Sequence, residues 1–408
     1  MTPWLSIVGI GEDGLDGLGR AARALVERAE VLVGGGRHLA MVPVAKGNGV
    51  ERLTWATPLS DTMAAITARR GRRVVVLATG DPFCYGVGVT LSRYVPAAET
   101  VVVPAAGCVA LACARLGWPS AEVEAVTLHG RPLDLLGASV RPGARLVVLS
   151  HDGTTPEQVA RWLVKHGFGD SRFVVLERLG GAGERIAETS AASWLGSPHD
   201  LNTIAIECRT VPGARWWPRT PGLPDDAFEH DGQITKREIR AVTLARLMPQ
   251  PRGLLWDVGA GAGSIAIEWL RSEGTARAIA IERDPSRAVR LLRNAATFGV
   301  MQRLELVDGE APMALAGLAP PDAVFIGGGV SEVGLIDRCW QALKPGGRLV
   351  ANAVTVAGEA ELLARQAALG GELARLGVSR AEPLAKPLAG ALAWQAMRPV
   401  TQWSVVRA

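Results

Sequence analysis

The first grouping in the chain with the residue types for chemistry is LLWDVGAGAGSIAIEWL, residues 254–270. Leu254, Leu255 and Trp256 end an apolar run that predicts a buried strand, and Asp257 closes it. Gly259, Gly261 and Gly263 then alternate with Ala260 and Ala262 through a tight turn, and from Ser264 the apolar spacing becomes helical. A strand, a glycine turn and a helix present bare backbone N–H groups where a ligand can lie close. About twenty residues on, AIAIERD (278–284) reads as a second buried strand ending at Glu282, whose carboxylate can accept hydrogen bonds from both hydroxyls of a ribose. A third strand leads into VDGEAP (307–312), so Gly309, Glu310 and Ala311 border the same edge, where a nucleoside base would lie.

Two nucleoside ligands fit this pattern, a dinucleotide and S-adenosylmethionine. The dinucleotide fingerprint requires G-x-G-x-x-G, but counting from Gly259 the sixth residue is Ser264, and the third glycine comes one position early. The G-x-G-x-G turn, the Asp two residues before it and the acidic end of the next strand instead resemble the class I S-adenosylmethionine-dependent methyltransferases. A second glycine run, Gly9, Gly11 and Gly14, matches G-x-G-x-x-G literally, yet more glycine follows and the helical pattern starts only near Arg20. It predicts no dinucleotide site.

At 408 residues the chain is long enough for two or three domains, each with its own core. An apolar fraction of 48% and a charged fraction of 21% describe an ordinary globular protein. No apolar run approaches the about 18 residues of a membrane span, and MTPWLSIVGIGEDG lacks the basic start of a signal peptide; a cytoplasmic location is expected. Cys84, Cys108, Cys113, Cys208 and Cys339 form no C-x-x-C pair and no ligand cluster with histidine, so free thiols and no metal are expected. The net charge of +4 is carried almost wholly by arginine, without a basic block interleaved with aromatics, which disfavours nucleic acid as a partner.

Taken in order, the first half alternates strand with connector. WLSIVGI (4–10), VLVGG (31–35), VVVLAT with the turn Gly80-Asp81-Pro82 (74–88), ETVVV (99–103), VTLHGR (126–131), ARLVVLS (144–150), FVVLERLG (173–180) and LNTIAIEC (201–208) read as strands. Helical patterns fall near 20–30, 61–70, 108–117 and 156–166. This predicts an α/β domain over 1–208, in two lobes of about 1–104 and 105–208. Residues 209–225, with prolines and the pair Trp216 and Trp217, read as a linker pinned by those tryptophans. The second domain is expected over 226–408. Its first helix follows Thr235 and Glu238, spaced as a capping box. Its last segment, 357–408, reads as a helix and two strand-like runs, LARLGVSRA (373–381) and RPVTQWSVVRA (398–408).

VGIG near the start, VGGGRHL (33–39), ATGDPFCYG (78–86), LHGR (128–131) and ERLGGAGERI (177–186) resemble, in order and spacing, the tetrapyrrole methylases, above all those acting late in corrin synthesis. One departure is Pro104-Ala105-Ala106-Gly107-Cys108, where that family often has a P-G-x-S-S-like stretch. The second half, from PDDAFEHDGQITKREIR through WDVGAGAGSIAIEW, AIERD, RNAATFGV, PDAVFIGGG and LKPGGRLVANAV, resembles the decarboxylating class I methyltransferases of the same route. Together they make the chain similar to the fused, two-domain corrin-synthesis methyltransferases.

The resemblance implies a class III lobed fold, then a Rossmann-like domain with a seven-stranded sheet. It implies S-adenosylmethionine in two sites. One lies in the cleft between the lobes at Gly80, Asp81 and Pro82. The other lies at Thr235, at 259–263, at Glu282 and at 309–311. It further implies a precorrin substrate methylated at C5 by the first domain, and at C15 with loss of the C12 acetate carboxyl by the second, giving precorrin-8X. It also implies a homo-oligomer, a tetramer built on the second domain, with no membrane partner. A reduced tetrapyrrole has nucleophilic meso carbons, so no Ser/His/Asp set is needed. Lys236, Arg237 and Arg240 are the candidate cations for substrate carboxylates, and His230 is a candidate proton shuttle. Two other readings stay open: an RNA methyltransferase, and a scaffold with one active half.

Overall fold

Apolar runs of four to six residues, spaced by amphipathic segments, dictate layered sheets with helices on their faces. The computed structural model describes residues 3–43, 49–383 and 391–408. The chain divides into two units, residues 1–133 with 140–215, and residues 134–139 with 216–408.

In the first unit, β1 (Leu5–Ile10), β2 (Val31–Val33), β3 (Glu51–Leu53), β4 (Val74–Thr79) and β5 (Thr100–Val103) form a parallel sheet ordered β3-β2-β4-β1-β5. Its connectors carry α1 (Arg20–Glu27), α2 (Gly36–Met41), α3 (Leu59–Thr67) and α4 (Val87–Leu91). The chain then passes through α5 (Cys108–Leu116) into a second sheet. This one holds β6 (Val123–Thr127), β7 (Arg145–Leu149), β8 (Arg172–Glu177), β9 (Arg185–Ser190) and β10 (Asn202–Glu207), with α6 (Thr155–Lys165) after β7. The order is β6-β7-β10-β8-β9, with only β6 and β7 parallel. β1, and β4 as far as Ala78, are buried on both faces, as covered parallel strands must be.

The second unit runs α7 (Arg237–Leu247), β11 (Leu254–Val258), α8 (Ser264–Ser272), β12 (Arg277–Glu282), α9 (Pro285–Thr297), β13 (Leu304–Asp308), β14 (Ala323–Ile326), α10 (Leu335–Ala342), β15 (Arg348–Ala353) and α11 (Val356–Leu369). β16 (Glu372–Leu376), β17 (Ser379–Pro383), β18 (Leu392–Ala396) and β19 (Val400–Val406) follow. Its seven-stranded sheet is ordered β13-β12-β11-β14-β15-β19-β16, parallel from β13 to β15, with β19 antiparallel to both neighbours. One face packs Leu255, Ile265, Trp269 and Phe298 together, and the other packs Trp256, Ile279, Leu335 and Leu362. From β11 the strand order runs outward both ways, to β12 on one side and β14 on the other. That switch point opens a crevice at the carboxyl ends of the strands, where α/β sheets bind ligands.

Three local expectations are corrected. Thr235 does not cap α7: Lys236 holds the N-cap position without a side-chain bond, and Glu238 turns outward to Arg380 at 2.7 Å. Residues 373–381 form two strands rather than one, because the chain breaks at Gly377 and Val378; β17 leaves the sheet and pairs with β18 as a hairpin. Of the two linker tryptophans, Trp217 packs against the second-unit core beside Phe298, whereas Trp216 is 43% exposed.

Candidate active site

The glycine turn closes β11 and opens α8. Gly259, Gly261 and Gly263 all take positive φ, at 71°, 57° and 78°. A side chain at Gly261 would meet nothing nearer than the Gln233 carbonyl at 3.9 Å, so this backbone faces open space. The space is a cavity of about 1070 Å³ at the carboxyl edge of the sheet. Single small-molecule sites occupy roughly 300–1,000 Å³. Room remains here beside one nucleoside-sized ligand.

Glu282, buried at the end of β12, accepts from the Gly261 N–H at 2.7 Å and from the Asp284 N–H at 2.9 Å. The turn is thereby tied to the neighbouring strand. Asp257 is 1% exposed; one carboxylate oxygen accepts from the Ala266 N–H at 3.0 Å, and the other has no hydrogen-bond partner. Burial pushes its carboxyl up to about 7, against the pull of the Ala266 N–H and with a further push from the charge of Glu282. An unsatisfied buried carboxylate oxygen on a cavity wall is matched by a cationic or N–H donor ligand. The fit to S-adenosylmethionine is direct: an ammonium for Asp257, ribose hydroxyls for Glu282, and bare backbone along the glycines.

The segment before α7 roofs this cavity. Its place is set by two buried side chains. Asn294 on α9 accepts from the Glu229 N–H at 2.8 Å and donates to the carbonyls of Glu229 and Ala262, both at 3.0 Å. It thus joins the roof to the glycine turn. Arg240 is fully buried and donates to Glu268 at 2.6 Å, to Asp225 at 3.3 Å and to the carbonyls of Thr235 and Leu223. Glu268 also accepts from the N–H groups of Gly222 and Leu223.

The cavity wall includes Thr235, residues 259–262, Glu282 and residues 309–311, with Lys236 beside Thr235. Gly263 is outside the lining and starts α8. The expectation for Arg240 is corrected: its guanidinium is fully buried and bonded to two carboxylates and two carbonyls, so it shapes the roof and meets no substrate. Arg237 is exposed on α7 and does not line the cavity. His230 is also outside it; its Nδ1 accepts from the Gly232 N–H at 2.9 Å and shapes a turn. Among the described residues, no group of His, Cys, Asp and Glu could hold a metal ion, and no helix is long and apolar enough to cross a membrane.

In the first unit, the turn Gly80-Asp81-Pro82 follows β4 at the carboxyl ends of three adjacent strands, β4, β1 and β5. The Asp81 carboxylate accepts from the Phe83 N–H at 2.8 Å, and Gly80 bonds through its N–H to Ile10 and through its carbonyl to Ala105, both at 3.1 Å. The departing stretch 104–108 therefore serves this turn by backbone. Beside it, buried His38 bonds Thr79 at 2.9 Å, and burial with the nearby Arg37 charge lowers its ring to about 4.

Residues 5–194 match the family of tetrapyrrole (corrin/porphyrin) methylases, and residues 226–407 match the precorrin methyltransferase domain. A precorrin-6Y C(5,15)-methyltransferase (decarboxylating) of Sinorhizobium sp is 51% identical over 405 residues, covering 99% of this chain and 96% of that protein. The chain belongs to the precorrin-6Y C(5,15)-methyltransferase (decarboxylating) family. These are S-adenosylmethionine-dependent methyltransferases. Two relatives correspond to parts of it. A cobalt-precorrin-7 C(5)-methyltransferase of Salmonella typhimurium is 30% identical over half of this chain and 98% of its own length. A protein of Pyrobaculum calidifontis named "Probable cobalt-precorrin-6B C(15)-methyltransferase (decarboxylating)" is 39% identical over 34% of this chain and 74% of its own.

For this member of the precorrin-6Y methyltransferase family, sequence reasoning passed over Asn294, Asn352 and Arg398. The last two also line the cavity. The motif RNAATFGV contained Asn294 and LKPGGRLVANAV contained Asn352, but neither spacing pointed to a polar role. Arg398 follows a hairpin that the apolar pattern did not reveal.

Proposed function

We propose that the enzyme methylates precorrin-6B at C5 and C15 and removes the C12 acetate carboxyl, giving precorrin-8X, with one S-adenosylmethionine site in each unit. The second unit carries C15 methylation and decarboxylation, and the first unit carries C5 methylation. The observation that carries this reading is the second-unit cavity, where an unsatisfied Asp257 oxygen, the Glu282 carboxylate and bare glycine backbone meet on one wall. The names of the two shorter relatives, each for one of the two positions, support the division.

When bound, S-adenosylmethionine supplies an electrophilic methyl group. Asp257 would take its ammonium, Glu282 its ribose, and residues 309–311 would flank its base. The protein needs no strong base, because the meso carbon of a reduced tetrapyrrole is itself nucleophilic; its task is to hold the reacting carbon in line. Methylation at C15 leaves a conjugated iminium in the substrate. The bond from the C12 acetate CH2 to its carboxylate then breaks, its electron pair flows into that iminium, and CO2 leaves. The wall formed by Ile239, Phe325 and Val354 contributes apolar surroundings that favour loss of a carboxylate charge.

The test is incubation of the enzyme with precorrin-6B and methyl-labelled S-adenosylmethionine, followed by mass and CO2. Two methyl groups gained with one CO2 lost is the expected result. Gly261→Arg, which fills the second-unit cavity, should leave one methyl gained and no CO2. Loss of CO2 from that variant would overturn the division between units.

A further inference from the structure

Several charged side chains on the second-unit cavity wall are already matched. Arg283 pairs with Glu310, Arg287 with Asp231 at 2.8 Å, and Glu282 with two backbone N–H groups. Lys236 and Arg398 face the same cavity, and among the described residues neither side chain has an ion pair or hydrogen bond. The acids left on this wall are Glu332, which has no such partner, and Asp257, which stands at the nucleoside end, so Lys236 and Arg398 are the wall's two unmatched cations.

A fixed amide stands with them. Asn352, at the end of β15, donates to Thr243 Oγ1 at 3.2 Å and accepts from Gln402 Nε2 at 2.8 Å. Gln402 also donates to Thr243 at 3.0 Å, and the Thr243 hydroxyl donates to the Ile239 carbonyl at 2.8 Å. Thr243 and Gln402 are fully buried. Their bonds set which end of the Asn352 amide is oxygen and which is nitrogen, and each end keeps one unused hydrogen-bonding position. A buried polar network ending in a half-satisfied amide on a cavity wall is an expensive way to fill space, and a polar ligand would complete it.

The sheet order separates this group from the nucleoside end. Glu282 on β12 and Asn352 on β15 are three strands apart, about 14 Å at about 4.8 Å per strand. Asn352 pairs with Gln402, so the loop carrying Arg398 lies beside the carboxyl end of β15. Lys236 caps α7, the helix that holds Thr243. We infer that Lys236, Arg398 and the Asn352 amide form the subsite that receives ring carboxylates of the tetrapyrrole, away from Glu282. This rests on the reading of the cavity as the C15 methylation site. The two cations balance the acetate and propionate charge, and the amide fixes which ring edge enters. Asn352 is a positioning residue whose orientation is imposed by Thr243 and Gln402.

Steady-state turnover of precorrin-6B, with S-adenosylhomocysteine affinity measured on the same preparations, tests this. Lys236→Gln and Arg398→Gln should each raise the KM for the tetrapyrrole about tenfold, the effect of one hydrogen bond to a charged group. S-adenosylhomocysteine affinity should not change. The wild-type KM should rise with ionic strength, and the double variant should lose that dependence. Asn352→Asp, isosteric but anionic, should raise the KM by repulsion and leave S-adenosylhomocysteine binding intact; a purely structural amide would lose both. If the wild type methylates precorrin-6B and the variants keep its KM and salt response, the subsite assignment is wrong. If the wild type binds S-adenosylhomocysteine but does not methylate precorrin-6B, the functional reading falls first and the subsite falls with it.

Discussion

Glu282 and Gly261 are 21 residues apart in sequence, and the carboxylate of the first accepts the backbone N–H of the second at 2.7 Å. The group read as the ribose acceptor is therefore also the anchor of the glycine turn. Glu282→Ala should weaken S-adenosylhomocysteine binding roughly 10–100-fold in calorimetry, the scale of one or two hydrogen bonds to a charged group. Because the turn loosens as well, hydrogen exchange at residues 259–263 should rise even without ligand. Unchanged exchange there would separate the two roles.

Two buried groups give the units opposite pH responses. Asp257 is raised from 3.8 to about 7, so the unfolded chain releases its proton first and second-unit stability falls as pH rises from about 4 to 7. His38 is lowered from 6.5 to about 4, so the unfolded chain takes up its proton first and first-unit stability is lost as pH falls from 6.5 towards 4. Hydrogen exchange resolved by peptide should show both slopes in one protein. Asp257→Asn should flatten the first slope and leave the second.

Asp257 also predicts proton release on binding. An ammonium placed against its free oxygen favours the carboxylate, so ligand capture near pH 6 to 7 should expel a proton. Calorimetry of S-adenosylhomocysteine in buffers of different ionisation enthalpy would detect it. Asp257→Asn should abolish the buffer dependence.

Arg240 should behave as a structural cation. Arg240→Ala leaves Glu268 buried without its partner, a loss of about 3–5 kcal/mol. The double change Arg240→Met with Glu268→Leu should not restore stability, since the N–H groups of Gly222 and Leu223 then lose their acceptor. Urea unfolding checks both, and a KM effect without a stability loss would contradict the burial.

In the first unit, a Cβ on Gly9 would lie 2.0 Å from the Gly80 carbonyl oxygen and 2.4 Å from the Ala105 nitrogen. Gly9→Val should force the Gly80-Asp81-Pro82 turn away from β1. Product analysis should then give C15 methylation with CO2 release and no C5 methyl.

Much of this architecture was readable because it is local. The run from Leu254 to Leu270 announces its strand, turn and helix through the spacing of its own residues, and the alternating apolar runs account for the parallel strands of both halves. What escaped depends on partners far along the chain. Arg240 reads from sequence as a cation open to a substrate carboxylate because its burial is decided by the distant Glu268 and Asp225. Thr235 and Glu238 have the spacing of a capping box, yet Arg240 holds the Thr235 carbonyl and Arg380 draws Glu238 away. Asn294 and Asn352 carry no periodic signal. Residues 134–139, a short polar-apolar mixture within the first half, lie with the second unit through contacts such as Gly137 to Arg271 at 3.0 Å.

The placement of β19 between β15 and β16 governs how this sheet can be made. On the ribosome β16 emerges before the strand that must separate it from β15, so it has no native neighbour until residues 400–406 have left the exit tunnel. Until then Gln402 is missing from the amide network, and Asn352 is not yet oriented. A nascent chain can therefore complete its nucleoside end, from β11 to β13, well before its far edge. The far edge of the sheet, with Asn352 held in its network, closes only after β19 has emerged.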